Sequence, residues 1–303
     1  MAPRILVVRG GAIGDFILTL PAIGALRERW PNAHIEILGY PHIIELARQR
    51  HYADAVRSIE AGPMAGFFVP NASLNESLAA YFRGFNLVIS YIFDPDHLFA
   101  DNIRRCGVRQ VIEASPRPSD VHAAKHYCKP LETLAIYVEQ PTPRIYLNDA
   151  DRVCASSHLA SAGRERIVAL HPGSGSERKN WPAANFAAVA RWLVDELAVQ
   201  LLVIHGEADD AAVTRLTELI APRPFHRAHG LKLVELAAVL ERCALFIGND
   251  SGITHLASAV GAPTIALFGP ASSAIWKPQG ERVRVIRFGH DDVAEVRDAV
   301  LTL

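Results

Sequence analysis

No stretch of this chain stays apolar for the roughly 18 residues that a membrane-spanning helix needs, although half of its 303 residues are apolar. The apolar residues are dispersed in short runs, as in a globular core and unlike a disordered chain. Cysteine is scarce: Cys106, Cys128, Cys154 and Cys243 lie far apart, with no CxxC pair. That spacing argues against a zinc ribbon or a disulfide framework, and fits reduced thiols in a cytosolic protein. Excess charge of either sign is also missing, with 31 basic residues against 32 acidic ones and a net charge of −1. Such a balance speaks against a nucleic-acid protein whose whole surface is basic. Met1 leads directly into RILVV, so no signal peptide is expected, and the sequons at Asn71 and Asn75 then carry little weight. Low-complexity tracts and short-period repeats are absent.

What is present is alternation. Short apolar runs alternate with helical patterns, the mark of a mainly parallel sheet with helices on both faces, an α/β fold. In the first half the expected strands are Ile5–Val8, Ile35–Leu38, Leu87–Ser90 and Gln110–Glu113, with a helix over Gly14–Trp30 closed by Pro31 and Asn32. Near Gln140 the pattern breaks into QPTPRIYLND, a stiff, extended, polar stretch that reads as a linker. A second series follows, with strands at Ile167–Leu170, Val199–Ile204, Leu245–Ile247 and Thr264–Phe268. Helices are expected at Ala183–Leu197, Asp210–Ala221, Leu233–Cys243 and Asp291–Leu303, the last crossing back over the first half. The division expected is 1–145 and 146–303, with a ligand in the cleft between two similar halves.

The segment LFIGNDSGITHLASAVGAPTIALFGP, residues 245–270, reads as buried strand, polar turn, short helix and buried strand. Asp250, Ser251 and Gly252 fall where that helix begins, with His255 one turn further in. Unpaired N–H groups and the positive end of the helix dipole make such a turn an anion site, and Gly252 lets a phosphate come close to the backbone. At mid-chain, VALHPGSGSERKNWP places a hydroxyl-rich loop with Ser174 after another buried strand, followed by Arg178 and Lys179. A lysine is a compact charge suited to a phosphate oxygen, while a solvated basic turn is the plainer reading. Two anion-binding elements at strand carboxyl ends of one sheet suggest a diphosphate. His171 and His255 could ligate a metal, but no carboxylate or cysteine spacing supports one.

The first strand ends in RGGAIGDFILTLP. Gly10, Gly11 and Gly14 form a glycine-rich turn, but Arg9 stands where a dinucleotide fingerprint needs its first glycine, so the signal for a nicotinamide cofactor is weak. Asp15 is either a first-turn carboxylate that complements the helix dipole or a general base for an acceptor hydroxyl. Glu207, Asp209 and Asp210 follow the strand VQLLVIHG, where a carboxylate commonly takes ribose hydroxyls; a solvated helix start is the alternative for each. Between Arg104 and Lys129 six basic residues, among them Arg104 and Lys125, face two acidic ones. That run is a solvated helical face, or it attracts an acidic acceptor at an anionic membrane surface.

Taken together, GDFILTLPAIGALR, HPGSGSERKNWP and GNDSGITHLASAVGAPTIALFGP, in that order, resemble glycosyltransferase family 9, the ADP-heptose:lipopolysaccharide heptosyltransferases. The blocks cover about a fifth of the chain, and the strand–helix order extends the likeness to nearly its full length. The resemblance implies a GT-B architecture: two Rossmann-like domains, the acceptor in the N-terminal one and the donor nucleotide in the C-terminal one. It further implies an inverting transfer without an essential metal or cofactor, from a nucleotide-sugar donor to a glycan or glycolipid acceptor. In that picture Asp15 is the catalytic aspartate and Lys179 meets the donor diphosphate. Gly14, Ser174, Asp250, Ser251, Gly252 and His255 complete the donor site, with Glu207 or Asp209 at the ribose and Arg104 and Lys125 towards the acceptor. Cytoplasmic location, with peripheral contact at the inner membrane, goes with this reading. The chain is shorter than typical members, and residues 62–75 carry no family signature. A sugar-nucleotide epimerase and a non-catalytic nucleotide-sugar binding protein stay open beside the transferase.

Overall fold

The computed structural model describes residues 2–160, 166–206, 209–269, 273–289 and 292–303. The chain divides into two compact units, Met1–Tyr146 and Leu147–Leu303. Among the described residues no helix is long and apolar enough to cross a membrane.

The N-terminal unit is built on five parallel strands, β1 (Arg4–Arg9), β2 (His34–Gly39), β3 (Ala55–Ser58), β4 (Leu87–Ser90) and β5 (Gln110–Glu113), in the order β3-β2-β1-β4-β5. β1 is central and buried from Ile5 onwards. A strand covered on both faces carries a continuous apolar run, and ILVV, residues 5–8 of β1, is one. β1 pairs with β2 from Arg4 opposite His34 and with β4 from Ile5 opposite Leu87. On one face, Leu6, Val8 and Val88 pack with Phe67, Phe82, Phe99 and Ile103. Residues 62–68, part of the stretch without a family signature, are a 3₁₀ segment that seats Met64 and Phe67 in this core. The QPTPRIY stretch buries Pro141, Pro143 and Ile145, and Tyr52 Oη donates to the Arg144 carbonyl at 2.8 Å.

The C-terminal unit has six parallel strands: β6 (Ile167–His171), β7 (Gln200–His205), β8 (His226–His229), β9 (Leu245–Asn249), β10 (Thr264–Phe268) and β11 (Val283–Arg287). Their order, β11-β10-β9-β6-β7-β8, is that of the doubly wound dinucleotide fold. Trp181, Phe186, Leu193, Val203, Leu216 and Ile247 sit in its core. The closing helix, Asp292–Thr302, gives Val296 and Ala299 to that same core.

Because every strand in each sheet runs the same way, loops after the strands gather on one edge. In the N-terminal sheet the winding reverses between β1 and β4, and in the C-terminal sheet between β6 and β9. Such switch points leave a crevice at the strand carboxyl ends, where α/β proteins bind ligands. Asp15 follows β1 at the first of these places, and Ser174, Lys179, Asp250, Ser251 and Gly252 follow β6 and β9 at the second. Three of the edge strands, β3, β8 and β11, are not among the expected ones. The four cysteines are free, and Cys106, Cys128 and Cys243 are buried. Burial pushes the Cys128 and Cys243 thiols up to about 12.

Candidate functional site

In the N-terminal unit, the turn after β1 aims Asp15 along the switch point. Gly11 adopts φ +93°, a conformation costly for any side chain, and a Cβ there would stand 3.0 Å from Asp15 Oδ2. Asp15 is the third residue of helix Ile13–Arg29, and its Oδ2 accepts from the Ala12 N–H at 3.0 Å. Its Oδ1 accepts from Tyr127 Oη at 3.0 Å and lies 3.2 Å from Arg9 Nη2. Arg9 is only 3% exposed. Its Nε donates to Thr19 Oγ1 at 2.9 Å, its Nη1 to the Tyr91 carbonyl at 3.1 Å, and its guanidinium lies over the Tyr127 ring at 4.6 Å. Burial raises the Tyr127 hydroxyl well above its usual range; the Arg9 charge opposes this, and Asp15 adds to it. Tyr127 therefore stays a hydrogen-bond donor. Asp15 Oδ1 faces the Arg9 guanidinium as an ion pair and the Tyr127 hydroxyl, whose one proton also has the Pro116 carbonyl within 3.1 Å, while Oδ2 holds a single backbone N–H. Its second lone pair is the atom site left to take a proton.

In the C-terminal unit, the loop after β6 and the turn after β9 are tied into one structure by Asn249. This residue is fully buried. Its Oδ1 accepts from the Trp181 N–H at 2.8 Å, and its Nδ2 donates to the Pro172 carbonyl at 2.8 Å. Ser174 Oγ bonds Asn180 Oδ1 at 2.6 Å and caps the Ser176 N–H at 3.2 Å, closing the loop on itself. Lys179 sits in a short 3₁₀ turn, Glu177–Lys179, and its Nζ lies 2.8 Å from Asp250 Oδ2. Two blocks some seventy residues apart in sequence (Lys179 and Asp250) thus meet as an ion pair, with the lysine partly exposed. Ser251 is the N-cap of helix Gly252–Ala259 and accepts from the Thr254 N–H, and Thr254 Oγ1 donates to the Asn249 carbonyl. The first N–H groups of a helix have no partner within it, so with the dipole they make a candidate anion seat beside Lys179.

Beneath that seat His171, the last residue of β6, is buried. Its Nε2 lies 2.9 Å from Asp209 Oδ2 and its Nδ1 3.3 Å from Ser251 Oγ. Asp209, expected at the ribose, is 5% exposed and turned inwards. Its Oδ2 also accepts from the Gly206 N–H at 2.9 Å. Burial acts to raise the Asp209 carboxyl, but the His171 ring and that N–H outweigh it and hold it below the ordinary carboxylate range. A Cβ on Gly173 would fall 1.8 Å from Asp209 Oδ1, so only glycine leaves room for this carboxylate.

The other expected residues are scattered. Glu207 lies outside the described residues. Asp210 is at the exposed start of helix Asp210–Ile220, paired with His205 Nε2 at 2.5 Å. His255 is buried within helix Gly252–Ala259. Gly14 lies in the first turn of helix Ile13–Arg29. Arg104 is engaged with Glu113 at 2.6 Å and Asp101 at 2.8 Å, and Lys125 is exposed on the short helix Ala123–Cys128. Arg9, Tyr127 and Asn249 were not among the expected site residues. Arg9 carries a signal of its own, an arginine ending an otherwise apolar central strand.

The sequence profile of glycosyltransferase family 9 (heptosyltransferase) matches residues 97–299. Lipopolysaccharide heptosyltransferase 3 of Escherichia coli (strain K12) is 27% identical over 296 residues, covering 89% of this chain and 83% of its own. Among solved structures, a glycosyl transferase family 9 protein from Veillonella parvula superposes with a TM-score of 0.81 at 22% identity, over 99% of this chain and 90% of that one. The E. coli ADP-heptose lps heptosyltransferase II gives 0.78 at 18% identity, with 99% of both chains covered. These structures have the GT-B fold of two parallel-sheet α/β domains, which this chain shares.

Proposed function

This chain belongs to glycosyltransferase family 9, and from that premise we infer that it moves a heptose from ADP-heptose onto a lipopolysaccharide-core or related glycan acceptor. The observation that carries this reading is the meeting of Lys179, Asp250 and the start of helix Gly252–Ala259 at the switch point of the C-terminal sheet. Such a seat fits a diphosphate, and a solved E. coli relative is described as an ADP-heptose transferase.

The reaction proposed is a single inverting displacement. Asp15 Oδ2 takes the proton of an acceptor hydroxyl, whose oxygen attacks the anomeric carbon as the bond to the leaving diphosphate breaks. Arg9 and Tyr127 hold the carboxylate in place by filling Oδ1. Negative charge grows on the leaving phosphate, and Lys179 with the N–H groups at Gly252 meets it there, supplying the cation that a metal would otherwise bring. Asp250, which pairs with Lys179 in the free protein, keeps that ammonium aimed at the seat. The acceptor is assigned to the N-terminal unit, which holds Asp15.

Incubation with ADP-heptose and a lipopolysaccharide-core oligosaccharide is expected to release ADP and form a new glycosidic bond of inverted configuration. An isomerised sugar nucleotide in place of a glycoside would mean an epimerase. Undiminished turnover after chelation of divalent cations supports the metal-independent displacement, and loss of turnover restored by a cation defeats it.

A further inference from the structure

Under the anion seat lies a buried pair that the displacement above does not use. Asp209 and His171 are both buried, and burying an ionisable pair rarely adds stability over apolar packing. The pair reaches one further group, the Ser251 hydroxyl, at the first residue of the seat.

Hydrogen-bond bookkeeping sets the direction of each proton. Asp209 is ionised and can only accept, so His171 Nε2 carries hydrogen towards it. In a neutral ring Nδ1 is then an acceptor, and the nearby donor is Ser251 Oγ. Thr254 Oγ1 gives its own proton to the Asn249 carbonyl, and the Thr254 N–H points at Ser251 Oγ. Ser251 thus gives its proton to His171 Nδ1 at 3.3 Å or to Thr254 Oγ1 at 3.2 Å, and in either case turns it away from an arriving phosphate and presents lone pairs there. A second proton on His171 reverses this: Nδ1 donates to Ser251 Oγ, and the hydroxyl proton turns up to the ligand.

We propose that His171, oriented by Asp209, takes up a proton when a nucleoside diphosphate binds at the start of helix Gly252–Ala259, reversing its hydrogen bond with Ser251 so that the hydroxyl donates to a phosphate oxygen. The proposal rests on the reading of this seat as the donor site. Other titratable or charged groups on the elements packed about His171 are His205 at the end of β7, Asp250 with Lys179, and His255. Of these, Asp250 already has Lys179 and His205 already has Asp210. His171 is the ring that joins a buried carboxylate to the seat.

Titration calorimetry of the full chain with ADP, in buffers of different ionisation enthalpy, reads the proton directly. At about pH 8, well above the second ionisation of a phosphate near 6, net proton uptake on ADP binding is expected, with affinity that falls as pH rises. His171→Gln and Ser251→Ala should each bind ADP without proton uptake. Ser251→Ala removes only a hydroxyl, and so carries the test if His171→Gln fails to fold. Lys179→Met should bind more weakly yet keep the uptake. No uptake by the wild type, or uptake that survives in either relay variant, overturns the proposal. ADP binding that is absent, or untouched by Lys179→Met, overturns the donor-site reading and the relay with it.

Discussion

Asp15 shows how little of a residue's chemistry lies in its identity. A carboxylate in the first turn of a helix is ordinary. Here one oxygen is occupied by Tyr127 and Arg9 and the other is left with room for a proton. Asp15→Asn keeps the shape and removes the base proposed above, so kcat is expected to fall roughly 10²–10⁴-fold, with ADP affinity unchanged in calorimetry. Tyr127→Phe leaves the carboxylate but frees Oδ1 to swing. A smaller loss in kcat, on the order of tenfold, is expected from the loosened geometry, again with ADP affinity intact. Lys179→Met should differ in weakening ADP binding as well as lowering kcat, the latter on the order of 10²-fold. Asp15 and Lys179 are legible in the sequence because the blocks around them are. Arg9 and Tyr127 are not, since 118 positions separate them and only the folded sheet brings them together.

At the scale of elements, apolar runs predict strands best where both faces are covered. The interior strands Leu87–Ser90 and Thr264–Phe268 begin and end in the structure where the sequence places them, and so does one edge strand, Gln110–Glu113. The unexpected strands β3 (AVRS), β8 (HRAH) and β11 (VRVIR) all lie at sheet edges. An edge strand is only half covered, so it keeps polar residues, and its strand character comes from its neighbour. The loop after β6 depends on a close approach that composition cannot reveal. Gly173→Ala would push a methyl into Asp209, and a loss of about 1–3 kcal/mol of stability is expected for such overpacking, measured by chemical denaturation.

For the molecule as a whole, each of the two sheets has its own switch point, and the residues of the proposed sites lie there. A ligand confined to the C-terminal unit should therefore leave a local footprint. Hydrogen exchange with ADP is expected to slow amides in 171–181 and 249–259 and to leave 9–15 unchanged. Protection that instead centres on 9–15 would place the nucleotide in the other unit. Acid stability reports the carboxylates held by hydrogen bonds, buried Asp209 and exposed Asp54. Asp209 lies below its ordinary 3.8, and so does Asp54, where bonds from Arg27 and the Ile35 N–H outweigh burial. A carboxyl with a lowered folded pKa adds stability that is present above its unfolded pKa and drains away as pH falls through the folded one. Denaturation midpoints should thus hold steady down to about pH 4 and decline below it, and Asp209→Asn should flatten that decline.

The sequence by itself determined the α/β class and the family, because buried strands and the motif blocks between them are local and carry their residue types with them. Tertiary structure decided which groups each site atom meets. It turned Asp209 inwards to His171, paired Arg104 with Glu113, and put Arg9 and Tyr127 on Asp15. Those outcomes depend on which strands are neighbours and how far each loop reaches across the sheet edge, and such distances exist only once the sheet has closed.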